Sequence, residues 1–562
     1  MAPQVDDTFQ KLLHGRTVDG VPFDEKKVPY RNFAHLWMEK VQQNTDGDFL
    51  TFYSAEGERS HFSYADFFER SCQVANLLVH EFDITPGDKV ASVAFNHPET
   101  VALMFACWMV GACYVPINAG ECDERMVFII NDANAKLVFV MPEYVERVAN
   151  EKENLESVAH FVGMLDGEEV TSGFLNYQEM LSHQSTHFEE TDLATLDDEA
   201  LIVYTSGTTG TPKGVVLQQY NCLINAKEIS AWYNFNNQSK AMLVLPIHHV
   251  NGIIVTLLTP LYAGGSLVLN QKFSASQYWQ RLKAEKCSYG SVVPTILSFL
   301  CEAGKKNFAV PPVDYFLICG AGPLTVETGK KFVAEFGVRV NHGYGLSETT
   351  CYSCYLPFDL SDDDYDKWMQ SYGYPSIGVA LPCNEMDIHD QQGNTVKEGE
   401  KGEIVVKGHN VMQGYYNRPD ANEEAFEHGW FKTGDEGFYK LDEAGRKFYF
   451  ITGRLKELII RGGVNYSPLE LDELIGRIDG VKAGVAVGFE NDMYGEEIGA
   501  YVVPKEGATL TELDVLNAFE GLPESKRPKV VVFGKDLPVT STGKYQRNKL
   551  KPLFNEWKGV QF

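Results

Sequence analysis

The sequence predicts an α/β chain: a large N-terminal domain of parallel-rich sheets with helices and a β-rich subdomain, then a small α+β C-terminal domain. Short apolar runs, "KVASVAF", "KLVFVM", "HFVGML" and "ALIVYT", alternate with longer helical patterns such as "HPETVALMFACWMVGA". Strands alternating with helices build buried parallel sheets. Further along, "GEIVVKG", "WFKTGDEGFYKL" and "KFYFITGR" are strands separated by Gly and Asp turns, a β-rich texture. Past "GRLKELIIRGG" comes a helix candidate, "SPLELDELIGRI", with Ser467 as N-cap and Pro468 at the first helical position. Strands "AGVAVGF" and "GAYVVP" and a further helix around "LTELDVLNAF" follow. This change of texture puts the boundary near Lys456, dividing the chain into 1–455 and 456–562.

At 562 residues the chain exceeds one ordinary core, and length alone suggests roughly three or four domains or subdomains. A formal charge of -28 argues against nucleic acid or an anionic membrane surface as the main partner, because both would repel it, while a local basic pocket stays allowed. The eleven cysteines are scattered, with only Cys351 and Cys354 at a paired spacing, which reads as reduced, mostly buried thiols. The start, "MAPQVDDTFQ", lacks a basic region followed by an apolar core. The most apolar stretch, "GIIVTLLTPLYAGGSLVL", is broken by Pro260 and Gly264-Gly265 and reads as core rather than an integral membrane span. A cytoplasmic location is the expectation.

The chemistry begins at "YTSGTTGTPKG", Tyr204 to Gly214, directly after a buried strand. Its glycines let backbone amides turn towards an anion, its hydroxyls add donors, and Lys213 adds charge, so the loop reads either as a polyphosphate cradle or as a solvated Gly/Thr turn. It is not the common NTPase P-loop, because Pro212 and Gly214 flank the lysine. Leu217, Tyr220 and Ile224 fall at i, i+3 and i+7 of an expected following helix.

This stretch resembles the phosphate loop of the adenylate-forming superfamily of acyl-CoA synthetases, luciferases and peptide-synthetase adenylation domains. The resemblance implies nucleotide contacts from Thr205, Ser206, Gly207, Thr208, Thr209, Gly210 and Lys213. "NHGYGLSE" resembles the family's adenine and magnesium segment: His342, Gly343, Tyr344, Gly345 and Ser347 would line the nucleotide, Tyr344 stacking on the base. Glu348 would hold Mg²⁺, with Thr208 as the second metal contact. "CGAGPL" is similar to the segment whose backbone, at Gly320, Ala321 and Gly322, lines the adenine and acyl pockets; Thr325 breaks any dinucleotide GxGxxG pattern. Asp435 in "KTGD" would accept both ribose hydroxyls, Arg454 would be a second ribose contact, Lys456 stands at the family's hinge, and "PVTSTGK" supplies Lys544. Taken singly, each admits a plain role: Asp435 a turn residue, Arg454 a surface ion pair, Tyr344 a core aromatic, Glu348 a helix-start charge, Lys456 a solvated lysine. Six segments in family order, from Tyr204 to Lys544, make the joint match specific. The N-terminal third carries it weakly, in "HFSYADFFERSCQVANLL" and "GACYVPIN".

The resemblance implies an AMP-forming acyl-CoA synthetase using ATP, Mg²⁺ and coenzyme A on a small-molecule carboxylic acid. The acid would attack the α-phosphorus, with developing charge met by Mg²⁺ on Glu348, the loop around Thr208 and Thr209, Lys213 and Lys544. The small domain is implied to be mobile: rotation at Lys456 would remove Lys544 and bring Gly462 and Gly463 to the pantetheine tunnel. "LPIHHVNG" is the family's segment at the mouth of the acyl pocket; His249 matches the family His, while His248 replaces the usual Phe. "FSASQYW" resembles its equivalents in aliphatic and carnitine-type ligases, which implies an aliphatic, fatty-type acid. No acidic residue lies between Lys240 and Lys272, against an α-amino acid. Transfer to a carrier protein or an amine, a luciferase-like oxygenase and a non-catalytic binding protein of the same fold stay open as alternatives. So does the acidic, aromatic loop between Glu348 and Ser376, as a cover over the acyl pocket or a solvated insertion. Lys544 is also a plausible acylation site, since losing its charge would remove its contact.

Overall fold

The computed structural model describes residues 7–164, 173–205, 211–312, 314–540 and 545–562. Among them the strands form three sheets. The first, 13-stranded, has a parallel centre made of Arg339–Tyr344, Phe316–Cys319, Tyr289–Val292, Lys240–Leu243, Ser266–Asn270 and Asp48–Tyr53. Beyond Arg339–Tyr344 it continues antiparallel through Cys354–Tyr355, Ser376–Ala380, Lys447–Arg454, Phe431–Leu441, Gly402–Gly408 and Asn384–His389, the expected β-rich part.

The second sheet is parallel from Glu199–Thr205 through Cys113–Asn118, Lys89–Ala94, Leu137–Val140 and His160–Gly163 to Leu175–Asn176. Its other edge adds Lys213–Gln218 and then Gly414–Tyr415, both antiparallel. The helix Pro98–Met109 is apolar almost all round, and all but Glu99 of its residues are buried, as a helix enclosed on every side must be. Trp108 from this helix donates its indole N–H to the Ala200 carbonyl at 2.8 Å, and its Phe105 packs against Trp37 and Phe33.

One local expectation is corrected. Leu217 lies not on a helix but in the strand Lys213–Gln218, and the helix begins at Gln219. The run Val215–Val216–Leu217 pairs back onto Glu199–Thr205, closing a hairpin across the phosphate loop. The acidic stretch after Glu348 is part helix: Asp362–Gln370 starts at the Ser361 cap, and its Trp368 stacks on Phe448 with centroids 3.8 Å apart. Three of its aspartates, Asp362, Asp363 and Asp364, occupy the first turn, where the helix dipole favours them. Of the cysteines, all free, only Cys122 is exposed. No helix among the described residues is long and apolar enough to cross a membrane.

The chain leaves the first sheet at Arg454, and Lys456 sits exposed in the 3-10 turn Leu455–Glu457. From Ile459 onward the strands belong to the third sheet, Val464–Tyr466, Ile459–Arg461, Gly495–Pro504 and Val481–Asn491, with Val530–Phe533 beside Gly495–Pro504. Ser467 precedes the helix Pro468–Gly476 as expected, and Thr511 caps Glu512–Asn517. This unit docks on the large one through Glu473, whose carboxylate accepts from the free backbone N–H groups of Val326 (2.9 Å) and Glu327 (3.3 Å) at the start of the helix Val326–Phe336. Lys482 adds an ion pair to Glu302 at 2.8 Å.

Two packing features generate predictions. Arg547 and Asp472 form a buried pair inside the small unit, Arg547 also donating to the Ala486 carbonyl. Arg547→Ala strands a buried carboxylate and should cost about 3–5 kcal/mol; hydrogen exchange should show lost protection across 470–540 with the two large sheets unchanged. His248 and His342 are held neutral by burial, each pushed down to about 4, against about 6.5 in an unfolded chain. Between those values the unfolded chain binds protons the folded one refuses, so stability should fall as pH drops through that window. The His248 Nε2 has no hydrogen-bond partner among the described residues, so His248→Phe should keep the neutral-pH melting temperature and flatten its fall towards pH 4.

Candidate active site

The parallel strands Phe316–Cys319 and Arg339–Tyr344 end side by side, with Cys319 opposite His342. Crevices at the carboxyl ends of parallel strands are where ligands bind in such sheets. The chain turns there through residues chosen by space. A Cβ on Gly320 would meet the Tyr352 hydroxyl at 2.3 Å, one on Gly343 the Tyr355 ring at 2.4 Å, and one on Gly345 the Cys351 carbonyl at 1.7 Å. Ala321 takes a left-handed φ of 61°, a strained conformation for a residue with a side chain, and Gly322 packs loosely on Pro294.

Tyr344 donates its hydroxyl to Asp435 Oδ2 at 2.5 Å. Asp435 is only 1 % exposed. Arg454, its cross-strand neighbour, brings Nε to 2.8 Å from Oδ1, yet at an angle that leaves this oxygen without a hydrogen bond from the described residues. A buried carboxylate oxygen lacking a donor is a ready acceptor for a ligand hydroxyl. Asp435 in turn holds the Arg454 guanidinium above its ordinary range, while burial and Asp435 raise the Tyr344 phenol, which stays a donor.

Glu348 lies in the short turn Ser347–Thr349, half-buried beside Ser347. Its Oε1 accepts from the Tyr415 hydroxyl at 2.9 Å, and its backbone carbonyl accepts from Met412 N–H at 2.8 Å. The same segment reaches the phosphate-loop hairpin: Gly414 and Tyr415 pair with Val216 and Val215, and Tyr416 N–H donates to the Gly214 carbonyl at 2.8 Å. Lys213, opposite Thr205 at the mouth of the hairpin, places its ammonium 4.9 Å from the Tyr415 ring centre, within cation–π range. At the foot of the loop Tyr204 donates to Asp132 at 2.8 Å, and Asp132 also pairs with Arg418 at 2.6 Å.

The structure therefore brings together Thr205, Lys213, Gly320, Ala321, Gly322, Gly343, Tyr344, Gly345, Ser347, Glu348, Asp435 and Arg454 around one crevice. Ser206, Gly207, Thr208, Thr209, Gly210 and Lys544 lie outside the described residues. The His342 side chain points into the sheet packing, its Nδ1 2.9 Å from the Ser376 carbonyl, which leaves only its backbone for a nucleotide. His249 is half-buried with its ring 4.5 Å from that of His248, just before the π-helix Asn251–Leu258, a geometry frequent at functional sites. Lys456, Gly462 and Gly463 are not part of this gathering. Both glycines have left-handed φ, 58° and 82°, in an exposed turn, and nothing lies within 4 Å of a Cβ placed on Gly463.

Tyr415 and Met412 escape a reading of the sequence, because "VMQGYYNRPD" carries no local sign that it joins a loop two hundred residues earlier. Glu473 escapes it for the same reason, reading as one more charge on a solvated helix face.

The AMP-binding enzyme family model matches residues 38–416, and the AMP-binding enzyme C-terminal domain matches residues 470–544. The chain is 34 % identical to a sulfoacetate–CoA ligase of Cupriavidus necator, over 83 % of this chain and 87 % of the relative. It is 33 % identical to an oxalate–CoA ligase of Arabidopsis thaliana, over 88 % and 94 %. A crotonobetaine/carnitine–CoA ligase of Citrobacter koseri is 30 % identical over 93 % and 99 %. Among solved structures, ATP-bound MatB from Rhodopseudomonas palustris superposes with a TM-score of 0.80 at 29 % identity, covering 93 % of this chain and 99 % of that one. The motifs, the two-part fold and these matches agree: the chain belongs to the AMP-binding enzyme family, as an adenylate-forming acid–thiol ligase of the acyl-CoA synthetase type.

Proposed function

We propose that the chain activates a short, polar organic acid with ATP, forming an acyl-adenylate and pyrophosphate, and then passes the acyl group to the thiol of coenzyme A, releasing AMP. The observation that carries this reading is two sets of groups by the ends of the parallel strands, Asp435 with Tyr344 and Arg454, and Glu348 with Tyr415 and Lys213, the Arg454 guanidinium feeling the charges of both Asp435 and Glu348. Asp435 Oδ1 would take a ribose hydroxyl, and Tyr344 would flank the base. Glu348 suits Mg²⁺: no cationic side chain among the described residues pairs with it, and its second oxygen is free of described donors. Among the described residues no cluster of three or more His, Cys, Asp or Glu could hold a metal, which fits an ion shared between one carboxylate and phosphate oxygens. When bound, Mg²⁺ would supply positive charge between those oxygens.

In the first step the acid's oxygen forms a bond to the α-phosphorus and the bond to pyrophosphate breaks, so the protein's task is positioning and charge. Lys213, the loop residues Thr208 and Thr209 and, from the small domain, Lys544 would meet that charge. In the second, the coenzyme A sulfur attacks the acyl carbon, its proton is lost, and AMP leaves. We infer that the unit 456–562 turns at Lys456 between the steps, exchanging Lys544 for the turn at Gly462 and Gly463. The exposed state of that turn in the present orientation supports a later arrival.

The size of the acid is argued from what fills the space behind Gly320 and Gly343. Tyr352 and Tyr355 stack there with centroids 4.4 Å apart, and the Tyr352 hydroxyl meets Asn251 at 3.1 Å. Asn251 in turn accepts from Ser291 at 2.6 Å. Rings and hydrogen-bonded amides occupy the depth a long alkyl tail would need, which favours a short polar acid over a fatty one, with His249 at its mouth. The names of the relatives, ligases for sulfoacetate, oxalate and crotonobetaine or carnitine, support the same class.

Pyrophosphate release should be measured with ATP and Mg²⁺ across two- to four-carbon acids bearing a second carboxylate, sulfonate or ammonium, and across straight-chain fatty acids, with and without coenzyme A. Release with the short polar acids and a coenzyme A-dependent thioester by mass is expected. Preference for fatty acids would overturn the acid class, and release without any thioester would direct the acyl group to a carrier protein or amine. Lys544→Ala should lower pyrophosphate release by about 10²–10³-fold while ATP binding, followed by calorimetry, persists.

A further inference from the structure

Glu348, in the turn Ser347–Thr349, and Lys213, at the start of a strand of the second sheet, carry opposite charges, and both face the same residue. Tyr415 gives its hydroxyl to Glu348 Oε1 at 2.9 Å and lies with its ring 4.9 Å from the Lys213 ammonium. Among the described residues Glu348 and Lys213 form no ion pair with each other. Unrestrained, two such groups at one crevice would close on each other, because their attraction in a part-buried site exceeds that in water. Closed together, neither would be free for a triphosphate.

We propose that Tyr415 is a positioning residue that holds Glu348 and Lys213 apart and aimed, the hydroxyl fixing the carboxylate that takes the metal and the ring face seating the ammonium that takes phosphate. This rests on the nucleotide reading of the crevice. Three features equip Tyr415 for it. Its backbone is fixed by the pairing of Gly414–Tyr415 with Lys213–Gln218, so ring and lysine share one hairpin edge. The Glu348 backbone is fixed by the neighbouring Met412 N–H, so carboxylate and hydroxyl are registered by one segment. Gly414, at φ 151°, leaves room for the Asn422 amide, which receives the Tyr415 backbone N–H at 2.7 Å and locks the tyrosine's entry. Burial and the Glu348 charge raise the phenol's pKa, so it stays protonated and can only donate to the carboxylate.

The two functions of the side chain separate by substitution. Tyr415→Phe keeps the ring under Lys213 and removes the donor to Glu348; Tyr415→Leu removes both. The test is binding of Mn²⁺ in the presence of ATP, read by electron paramagnetic resonance, with binding of metal-free ATP read by calorimetry. Tyr415→Phe should weaken Mn²⁺ about tenfold, the loss of one charge-assisted hydrogen bond, and leave metal-free ATP binding unchanged. Tyr415→Leu should weaken both. In a Glu348→Ala background, which removes the acceptor, Tyr415→Phe should have no further effect on Mn²⁺, because its partner is already gone. Mn²⁺ affinity of Tyr415→Phe within twofold of the parent, or an equal loss in the Glu348→Ala background, would overturn the proposal. If the parent protein forms no adenylate with any acid while these binding differences hold, the catalytic reading fails and the role of Tyr415 stands.

Discussion

The active crevice depends on one edge pairing, the segment 411–418 laid against the strand Lys213–Gln218. Without it the second sheet would end at the phosphate-loop hairpin, and side-chain bonds from the following helix, such as Asn221 to His409 and Asn225 to Tyr352, would be left to register that hairpin against the first sheet. The segment does so with backbone bonds on both sides: Gln413 and Tyr416 to the hairpin, Met412 to Glu348. Val411 and Met412 are fully buried, so the seam also carries apolar packing between the sheets. The side-chain contact of Tyr415 is then a geometric consequence, since a strand presents alternate residues to opposite faces, while Arg418 reaches Asp132 from the start of the helix Pro419–Ala425.

A chain of net charge -28 must bring together ATP and, on the proposed reading, an anionic acid. Its answer is local. Asp435 is buried but held by Tyr344 and Arg454, Glu348 is held by Tyr415, and Lys213 faces the crevice. Backbone amides at the turns after the parallel strands add partial positive charge at no cost in side-chain entropy.

The small unit is attached by polar contacts rather than a broad apolar seam. Glu473 at the start of the helix Val326–Phe336, with Lys482 on Glu302, fixes the observed orientation. That helix follows directly on the Gly320–Leu324 segment, so the docking point lies one turn from the crevice lining. The Glu473 carboxylate is buried at this contact, and its bonds to the two backbone N–H groups offset the cost of taking its charge out of water. The small unit's own integrity is secured elsewhere, by the buried Arg547–Asp472 pair and its two apolar clusters.

By itself the sequence determined the family, the alternation of strands and helices and the texture change after the β-rich part, and it singled out Lys213, Tyr344, Glu348, Asp435 and Arg454 as candidates for the chemistry. Those signals are local: periodicity, turn glycines and short motifs are written in contiguous residues. It misplaced Leu217, because apolar spacing over so short a run suits strand and helix alike and only pairing with Glu199–Thr205 chose the strand. It left the acidic stretch after Glu348 undecided, where the stacking of Trp368 on Phe448 decided for a packed helix. It gave Tyr415, Glu473 and the stacked pair Tyr352 and Tyr355 no distinction at all. Tyr415 meets Glu348 across 67 residues of chain and Glu473 meets Val326 across 147. Contacts at such separations follow from sheet order and domain docking, which only the tertiary structure sets, and a side chain's role in them depends on a partner that no neighbouring residue reveals.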